Sequence, residues 1–288
     1  MKCVICSTVY KNENYLHKSF ENIKEIQKLF NKTKILISYD NSGDNSLKEL
    51  CEIKKTNNFD IDILFQPNER FNSFIGRPFN IAQARNQLLN EIYTKYEDYD
   101  YFIMVDLDDI FNFKINIKVL EKYLESDLCI LNDKCECPQW DSLCFWNEGF
   151  YDTWSVSIDH LQDSSWRICS ETKEQGEARQ YEVLNYLKSV VDDMNENNED
   201  IRNIDSCFNG FAIHKIKSFK NIKYTVAKIL DNKIIIDCEH RDFYKSAVKK
   251  GLNVMFSKDC LLERMTDICF LNKSAQIETK SLKQEIKI

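Results

Sequence analysis

The stretch YFIMVDLDDI, residues 101–110, places five apolar or aromatic residues directly before a cluster of carboxylates. The cluster consists of Asp106, Asp108 and Asp109, and the run before it is typical of a buried strand. Charges of one sign repel each other, so the cluster costs free energy unless a cation lies nearby. Carboxylates at i and i+2 suit Mn²⁺ or Mg²⁺, which keep further positions for phosphate oxygens. The stretch predicts a metal-binding strand end, although a solvated acidic turn or a helix cap would fit the same residues.

The chain around this stretch alternates between short β-rich runs and segments with helical spacing. Three β-rich runs precede it, and residues 79–96 carry apolar side chains on one helical face. This alternation predicts an α/β fold with a mainly parallel central sheet flanked by helices on both faces. The second half is less regular, and predicts a hairpin that turns at residues 231–232 and a helix over residues 243–251.

Composition narrows the class of protein. The 288 residues are 43% hydrophobic and 30% charged, a balance that allows a sizeable core, and the net charge is -7. An acidic chain argues against binding nucleic acid through a basic face. No apolar run reaches the ~18 residues of a membrane span. The first residues, MKCVICSTVY, are typical of a strand rather than a signal peptide. We therefore expect a soluble, cytoplasmic protein without a membrane span.

Six short segments in a fixed order carry a resemblance to known enzymes. The segments are CVICSTVYKNENYL (3–16), ISYDNSGDNS (37–46), ARNQLL (84–89), VDLDD (105–109), FNGFAIH (208–214) and CEHRDFYKSAVKKG (238–251). The first four resemble nucleotide-sugar glycosyltransferases of the GT-A (Rossmann-like) fold. The last two resemble glycosyltransferases of large DNA viruses, including those that decorate chlorovirus capsids, and more faintly fungal capsule-type mannosyltransferases.

The resemblance implies a function and a division of the chain. Residues 1–125 would form the nucleotide-sugar-binding half, 126–270 the smaller, mixed acceptor-binding half of one compact domain, and 271–288 a polar tail. The enzyme would move a hexosyl or deoxyhexosyl group from a UDP-sugar, or a GDP-sugar, to a hydroxyl of a glycan or glycoprotein. Mn²⁺ or Mg²⁺ would be the cofactor. A viral enzyme would work in the host cytoplasm or the virus factory.

The resemblance also implies where the donor binds. The residues expected to flank the base and ribose are Thr8, Tyr10 and Glu13. Asp40 would accept hydrogen bonds from the base or ribose, but its sequence allows equally that it initiates the Asn-Ser-Gly turn. The loop of Asn209 and Gly210 would pack under the donor sugar, because glycine permits close approach.

The diphosphate and metal would lie at the acidic strand end. Arg77 and Arg85 are the nearest basic residues in sequence, and Arg85 falls on the inward stripe of its helix. An unpaired buried charge is costly, so a diphosphate or an ion pair with the aspartates would explain Arg85. Asp106 would contact the ribose or sugar and the metal, Asp108 would bind the metal, and Asp109 could do either.

Residues of the second half would complete the site. His240 is expected to be a metal ligand or, equally, a structural histidine. Glu239 or Asp242 would be the base that deprotonates the acceptor hydroxyl, and Asp152 a further catalytic or sugar-binding carboxylate. Glu239 and His240 can both point inward only if the chain turns there, because a strand alternates its faces. Four aromatic residues could stack on acceptor sugars or belong to the core, and we expect core for at least two: Trp140, Trp146, Tyr151 and Trp154.

Two other functions fit parts of the sequence. A nucleotidyltransferase shares the sheet and the acidic metal site, but the loop STVYKNENY lacks the glycines usual there. A non-catalytic glycan-binding domain would need no intact pair of Asp106 and Asp108 beside Arg85. Both fit less well than a glycosyltransferase.

Overall fold

The computed structural model describes residues 1–57, 59–66, 70–73, 76–131, 139–147, 150, 152–157, 173–230 and 233–263. Tyr151 and the predicted tail at 271–288 lie outside these residues. The described strands are β1 (Lys2–Val9), β2 (Lys32–Tyr39), β3 (Ile61–Phe65), β4 (Tyr101–Val105), β5 (Ser142–Trp146), β6 (Ile201–Asn203), β7 (Phe211–Lys215), β8 (Ala227–Leu230), β9 (Lys233–Ile236) and β10 (Val254–Cys260). The described α-helices are α1 (Leu16–Gln27), α2 (Ser46–Thr56), α3 (Arg77–Lys95), α4 (Ile117–Leu131), α5 (Lys173–Glu196), α6 (Ile216–Phe219) and α7 (Glu239–Lys249).

Eight of the strands form one sheet in the order β3-β2-β1-β4-β7-β5-β10-β6. The pairs of β1 with β2, β2 with β3, β1 with β4 and β5 with β10 are parallel. Strand β7 runs antiparallel to both β4 and β5, and β6 runs antiparallel to β10. Strand β7 thus joins the strands of the first half to those of the second half.

Helices cover both faces of this sheet. Alternate residues of a strand point to opposite faces, so each strand contributes to two core layers. Cys3 and Ile5 of β1 belong to a core layer that includes apolar residues of α1, α2 and α4. Val4 and Cys6 belong to a second layer formed with α3, α5 and α7. The predicted α/β class, with a mainly parallel sheet between helices, is confirmed. No described helix combines the length and the apolar character needed to cross a membrane.

The second half differs from the expectation at one helix. The predicted hairpin is confirmed as β8 and β9, which form a separate two-stranded sheet. Helix α7 begins at Glu239, not at Phe243 as expected. Cys238 is extended and precedes it, while Glu239 and Asp242 lie in the first turn, where the helix dipole favours acidic side chains. Helix α4 runs through residue 125, and the division of the chain there stays a prediction.

Candidate active site

The ends of β1, β2 and β4 lie side by side at one edge of the sheet. The backbone N–H of Asp40, after β2, donates to the carbonyl of Val9 at the end of β1, 3.0 Å away. The N–H of Asp106, after β4, donates to the carbonyl of Gly210, just before β7, across 2.9 Å. The polar residues that follow these strands therefore line one edge, as the sequence predicts, and the Asn209–Gly210 turn reaches the same edge.

The side chain of Arg85 makes the central contacts at this edge of the sheet. It lies on the inward face of α3, is 3% exposed, and its Nη2 donates to Asp106 Oδ1 across 2.9 Å. Its Nη1 contacts Glu239 and His240, in the first turn of α7. The Phe208 ring lies 4.8 Å from the guanidinium carbon. The ion pair with an aspartate that the sequence allowed for Arg85 is present.

Three carboxyl groups near Arg85 hold their protons more tightly than usual. Burial, opposed by the Arg85 charge, raises the pKa of Asp106 and of Glu239. The pKa of Asp152 rises to about 7 because the group is desolvated and because Glu239 and Asp106 repel its charge. Asp152 is therefore a group of this site that changes its protonation near neutral pH. The structure brings it together with Asp106, Arg85 and Glu239.

Asp108 and Asp109 follow the end of β4 in the chain. Asp108 precedes a short 3-10 helix, Asp109–Asn112, and its carboxylate accepts from the N–H of Ile110 at 3.2 Å. Both carboxylates are half-buried. The helix-capping role allowed by the sequence is thus present, and it leaves carboxylate oxygens of Asp106 and Asp108 at the same strand end.

A divalent cation at these two carboxylates would have few ligands from the protein. Among the described residues, no cluster of three or more His, Cys, Asp or Glu side chains could hold a metal ion. Mg²⁺ commonly takes one or two carboxylates and completes its shell with water and phosphate oxygens. Asp106 and Asp108 match that pattern, so a cation here would depend on a phosphate-bearing ligand. The metal roles of these residues and of His240 stay predictions.

The loop after β1 lies at the same edge of the sheet, beside the acidic end of β4. The guanidinium of Arg70 stacks on the Tyr10 ring, 3.4 Å from its centroid, and pairs with the carboxylate of Asp40. Arg70 was not predicted, because it lies between regular elements and no periodicity marks it. Glu13 instead accepts from the backbone N–H of Asn45 at 2.7 Å, which ties this loop to the one before α2. Thr8 lies half-buried near the end of β1.

Asn12 fastens the same loop to the acidic strand end. Its side-chain amide donates to the carbonyl of Leu107, between Asp106 and Asp108, across 2.8 Å. Its Oδ1 accepts from the N–H of Tyr10 at 2.7 Å, and its own N–H donates to Ser46 Oγ at 2.9 Å. Sequence reasoning missed Asn12. The signal that could have found it is an asparagine in the loop after a strand, because the asparagine side chain bonds to the backbone of turns.

The remaining predicted residues separate into near and far groups. Arg77, at the start of α3, is half-buried. Its charge counteracts part of the rise in the pKa of both Asp106 and Glu239, so it lies near the cluster. Asp242 hydrogen-bonds with Thr225, and no described contact joins it to Arg85. The chain does turn before Glu239, which lets Glu239 and His240 both reach Arg85.

The last of the predicted residues are the Asn209–Gly210 turn and the tryptophans. Asn209 and Gly210 have positive φ angles of 49° and 78°, a backbone shape that suits asparagine and glycine. At least two of the four aromatic residues were expected in the core: Trp140 is buried there, Trp146 is half-buried and packs against the second core layer, and Trp154 is half-buried. The Trp154 ring lies 5.5 Å from the Arg77 guanidinium, close to Asp152 in the chain.

Comparisons with known proteins give low similarities. No family model and no curated protein matches the chain. It is similar to S. aureus TarS 1–349, at 12% identity and a TM-score of 0.48, over 91% of this chain and 59% of that one. For the same protein in complex with UDP-GlcNAc the values are 10%, 0.48, 93% and 60%. For the mannosyltransferase PcManGT from Pyrobaculum calidifontis, in complex with GDP-Man and Mn²⁺, they are 9%, 0.49, 92% and 57%.

The chain therefore spans 57–60% of the length of the chains in these three solved structures. At such identities and TM-scores, the likenesses carry no argument about what this chain binds or does.

Proposed function

We propose that the protein is a glycosyltransferase that moves a hexosyl or deoxyhexosyl group from a nucleoside diphosphate to a hydroxyl of a glycan or glycoprotein. The observation that carries the proposal is the buried contact of Arg85 with Asp106 and Glu239, beside Asp152, where the parallel strands end. Ligands of open α/β sheets bind beyond the carboxyl ends of strands. Grouped carboxyls of raised pKa are costly to stability and are typical of catalytic sites.

The nucleoside would bind at the loop after β1. Tyr10 offers an aromatic face and Asp40 a carboxylate that can accept hydrogen bonds from a base or ribose. Arg70 covers that face in this structure and would either stack with the base or move aside. Thr8 and Glu13 flank this loop. We propose a UDP-sugar as the favoured donor and a GDP-sugar as the alternative.

The diphosphate would bind beside Asp106 and Asp108. Arg77 supplies positive charge at the start of α3, and the hydrogen bond from Arg85 orients the carboxylate of Asp106. Mn²⁺ or Mg²⁺ held by Asp106 and Asp108 would neutralise charge on the leaving diphosphate. The Asn209–Gly210 turn, bonded to Asp106 through its backbone, would support the donor sugar.

Asp152 best fits the base that deprotonates the acceptor hydroxyl. A general base works best when its pKa lies near the working pH, and the pKa of Asp152 is about 7. Of the other two predicted bases, Glu239 is buried against Arg85, and Asp242 is bonded to Thr225. Trp154, two residues after Asp152, would stack on the acceptor sugar.

Calorimetry with nucleotides tests this function. UDP should bind more tightly with Mn²⁺ present than with a chelator, because Asp106 and Asp108 repel a diphosphate without a cation. Equal affinity in both conditions would remove the metal from the proposal. GDP and free sugars serve as comparison ligands. Binding of sugars without any nucleotide would favour a glycan-binding domain, and the absence of any nucleotide binding would overturn the proposed transfer.

Release of UDP from UDP-sugars, or of GDP from GDP-sugars, identifies the donor. The expected result is nucleotide release from one donor class that increases when an acceptor glycan is added. Release of diphosphate from a nucleoside triphosphate instead would indicate a nucleotidyltransferase.

A further inference from the structure

Arg85 and His240 share a contact that fixes the role of one ring nitrogen. Nη1 of Arg85 lies within hydrogen-bonding distance of the Glu239 carboxylate and of Nε2 of His240. A guanidinium has no acceptor atom and keeps its proton in proteins. The two Nη1 hydrogens are therefore donated, one to Glu239 and one to His240. Nε2 of His240 must be the accepting nitrogen of its ring.

The same ring is neutral, so the position of its single proton follows. The His240 side chain is 1% exposed. Burial, the Arg85 charge and the neighbouring His214 all lower the pKa of His240 well below its usual value. A neutral imidazole carries one N–H. Because Nε2 accepts, the proton lies on Nδ1.

Packing holds the ring in this orientation. The Phe208 ring stacks on the imidazole with centroids 3.8 Å apart and an interplanar angle of 21°. The Tyr224 ring lies edge-on, 5.6 Å away. His240 is also the second residue of α7, so its backbone belongs to a regular helix. A flipped ring would place a carbon where Nε2 lies and would leave one Nη1 hydrogen of Arg85 without its acceptor.

We propose that His240 is a positioning residue for Arg85 rather than the metal ligand predicted from the sequence. Metal binding needs a deprotonated nitrogen with an available lone pair. The lone pair of Nε2 faces Arg85, and Nδ1 carries the proton. His240 and Glu239 together orient the guanidinium so that Nη2 meets Asp106 at 2.9 Å. This role rests on the proposed function, because Asp106 is one of the two proposed cation ligands.

Two substitutions separate the two ring nitrogens. A glutamine amide reaches the position of Nε2, whereas an asparagine amide reaches only that of Nδ1. With Mn²⁺ present, His240→Gln should keep UDP affinity within about 3-fold, and His240→Asn should weaken it about 10-fold or more, as expected for one hydrogen bond to a charged group. Equal losses in the two variants, or a larger loss for glutamine, would overturn the positioning role.

The tautomer can be measured without any nucleotide. Long-range ¹H–¹⁵N spectra report which nitrogen of each of the four histidines carries a proton, and the signals missing in His240→Gln identify His240. We expect a proton on Nδ1 and an accepting Nε2, unchanged by MgCl₂ alone or with UDP. A proton on Nε2, or a shift at Nε2 on adding Mg²⁺, would overturn the role. If the wild type binds no nucleotide, the proposed function fails while the tautomer still tests His240 and Arg85.

Discussion

Arg85 donates to Asp106 across 2.9 Å and thereby ties the inner face of helix α3 to the end of strand β4. The same guanidinium contacts Glu239, which lies 154 residues further along the chain. The side chain of Arg85 thus pairs with two carboxylates that would otherwise repel each other inside the protein. The site depends on Arg85 for its geometry, and Arg77 adds further positive charge near the same carboxylates.

Removing the Arg85 charge should destabilise the fold strongly. Arg85→Met leaves Asp106 and Glu239 without their cation, and breaking a buried pair in this way typically costs ~3–5 kcal/mol. Lys95→Met is the matched control, since Lys95 is an exposed cation of the same helix paired with Glu91, where the loss should stay below ~0.5 kcal/mol. Urea unfolding at pH 8 measures both. A similar loss for the two variants would contradict the central role of Arg85.

Asp152 should make stability depend on pH in a defined direction. Its folded-state pKa, about 7, lies above the usual 3.8, so the folded protein retains this proton longer than the unfolded chain. The contribution of Asp152 to the free energy of unfolding therefore falls as pH rises from 3.8 to about 7 and is constant above. The stability of Asp152→Asn relative to the wild type should rise over the same window. Urea unfolding from pH 4 to 9 measures it, and a difference independent of pH would contradict the shifted pKa.

Asp108→Asn should abolish turnover and leave the fold intact. Asparagine can still accept from the N–H of Ile110 and so preserve the cap of the 3-10 helix. It loses the negative charge proposed to hold the cation, and losing one transition-state contact typically costs ~10²–10³ in rate. Asp98→Asn, an exposed carboxylate paired with Lys2, should keep full activity. Nucleotide release at saturating Mn²⁺ is the measurement, and wild-type turnover in Asp108→Asn would place the metal elsewhere.

Asn12 should matter more than its neighbour Asn14. Asn12→Ala leaves the part-buried N–H of Tyr10 and the buried carbonyl of Leu107 without their partners, which typically costs ~1–3 kcal/mol. Asn14 is exposed, and Asn14→Ala should change the free energy of unfolding by less than ~0.5 kcal/mol. Thermal and urea unfolding compare the two. We also expect weaker UDP binding in Asn12→Ala alone, and identical behaviour of both variants would contradict the bridge.

Periodic features of the sequence predicted the sheet and the polar edge well. The alternating runs indicated the α/β class, and the polar residues after β1, β2 and β4 do meet at one edge. The position of Arg85 on the inward face of a helix predicted that it needs a buried partner, and it has one. These predictions succeeded because apolar periodicity reports directly which side of an element is buried.

Contacts between loops escaped prediction, since they depend on the whole fold. Nothing in the spacing of Arg70 and Tyr10 shows that their side chains stack, and Asn12 reaches Leu107 across 95 residues. The start of α7 was placed four residues late because the apolar run before it favoured a continued strand. The insertion of β7 between β4 and β5 is likewise a long-range choice that no local pattern encodes.

Strand β7 imposes an order on the assembly of the molecule. It pairs with β4 on one side and β5 on the other, so the two parts of the large sheet cannot join until Lys215 has been synthesised. Pairings between distant segments close late, because the loop entropy must be overcome first. Glu239 and His240 come later still, and until then a nascent chain holds Arg85 with fewer partners than the finished site. Chaperone binding and proteolysis should therefore act mainly on chains arrested between Val105 and Glu239, before Arg85 has all the partners of the finished site.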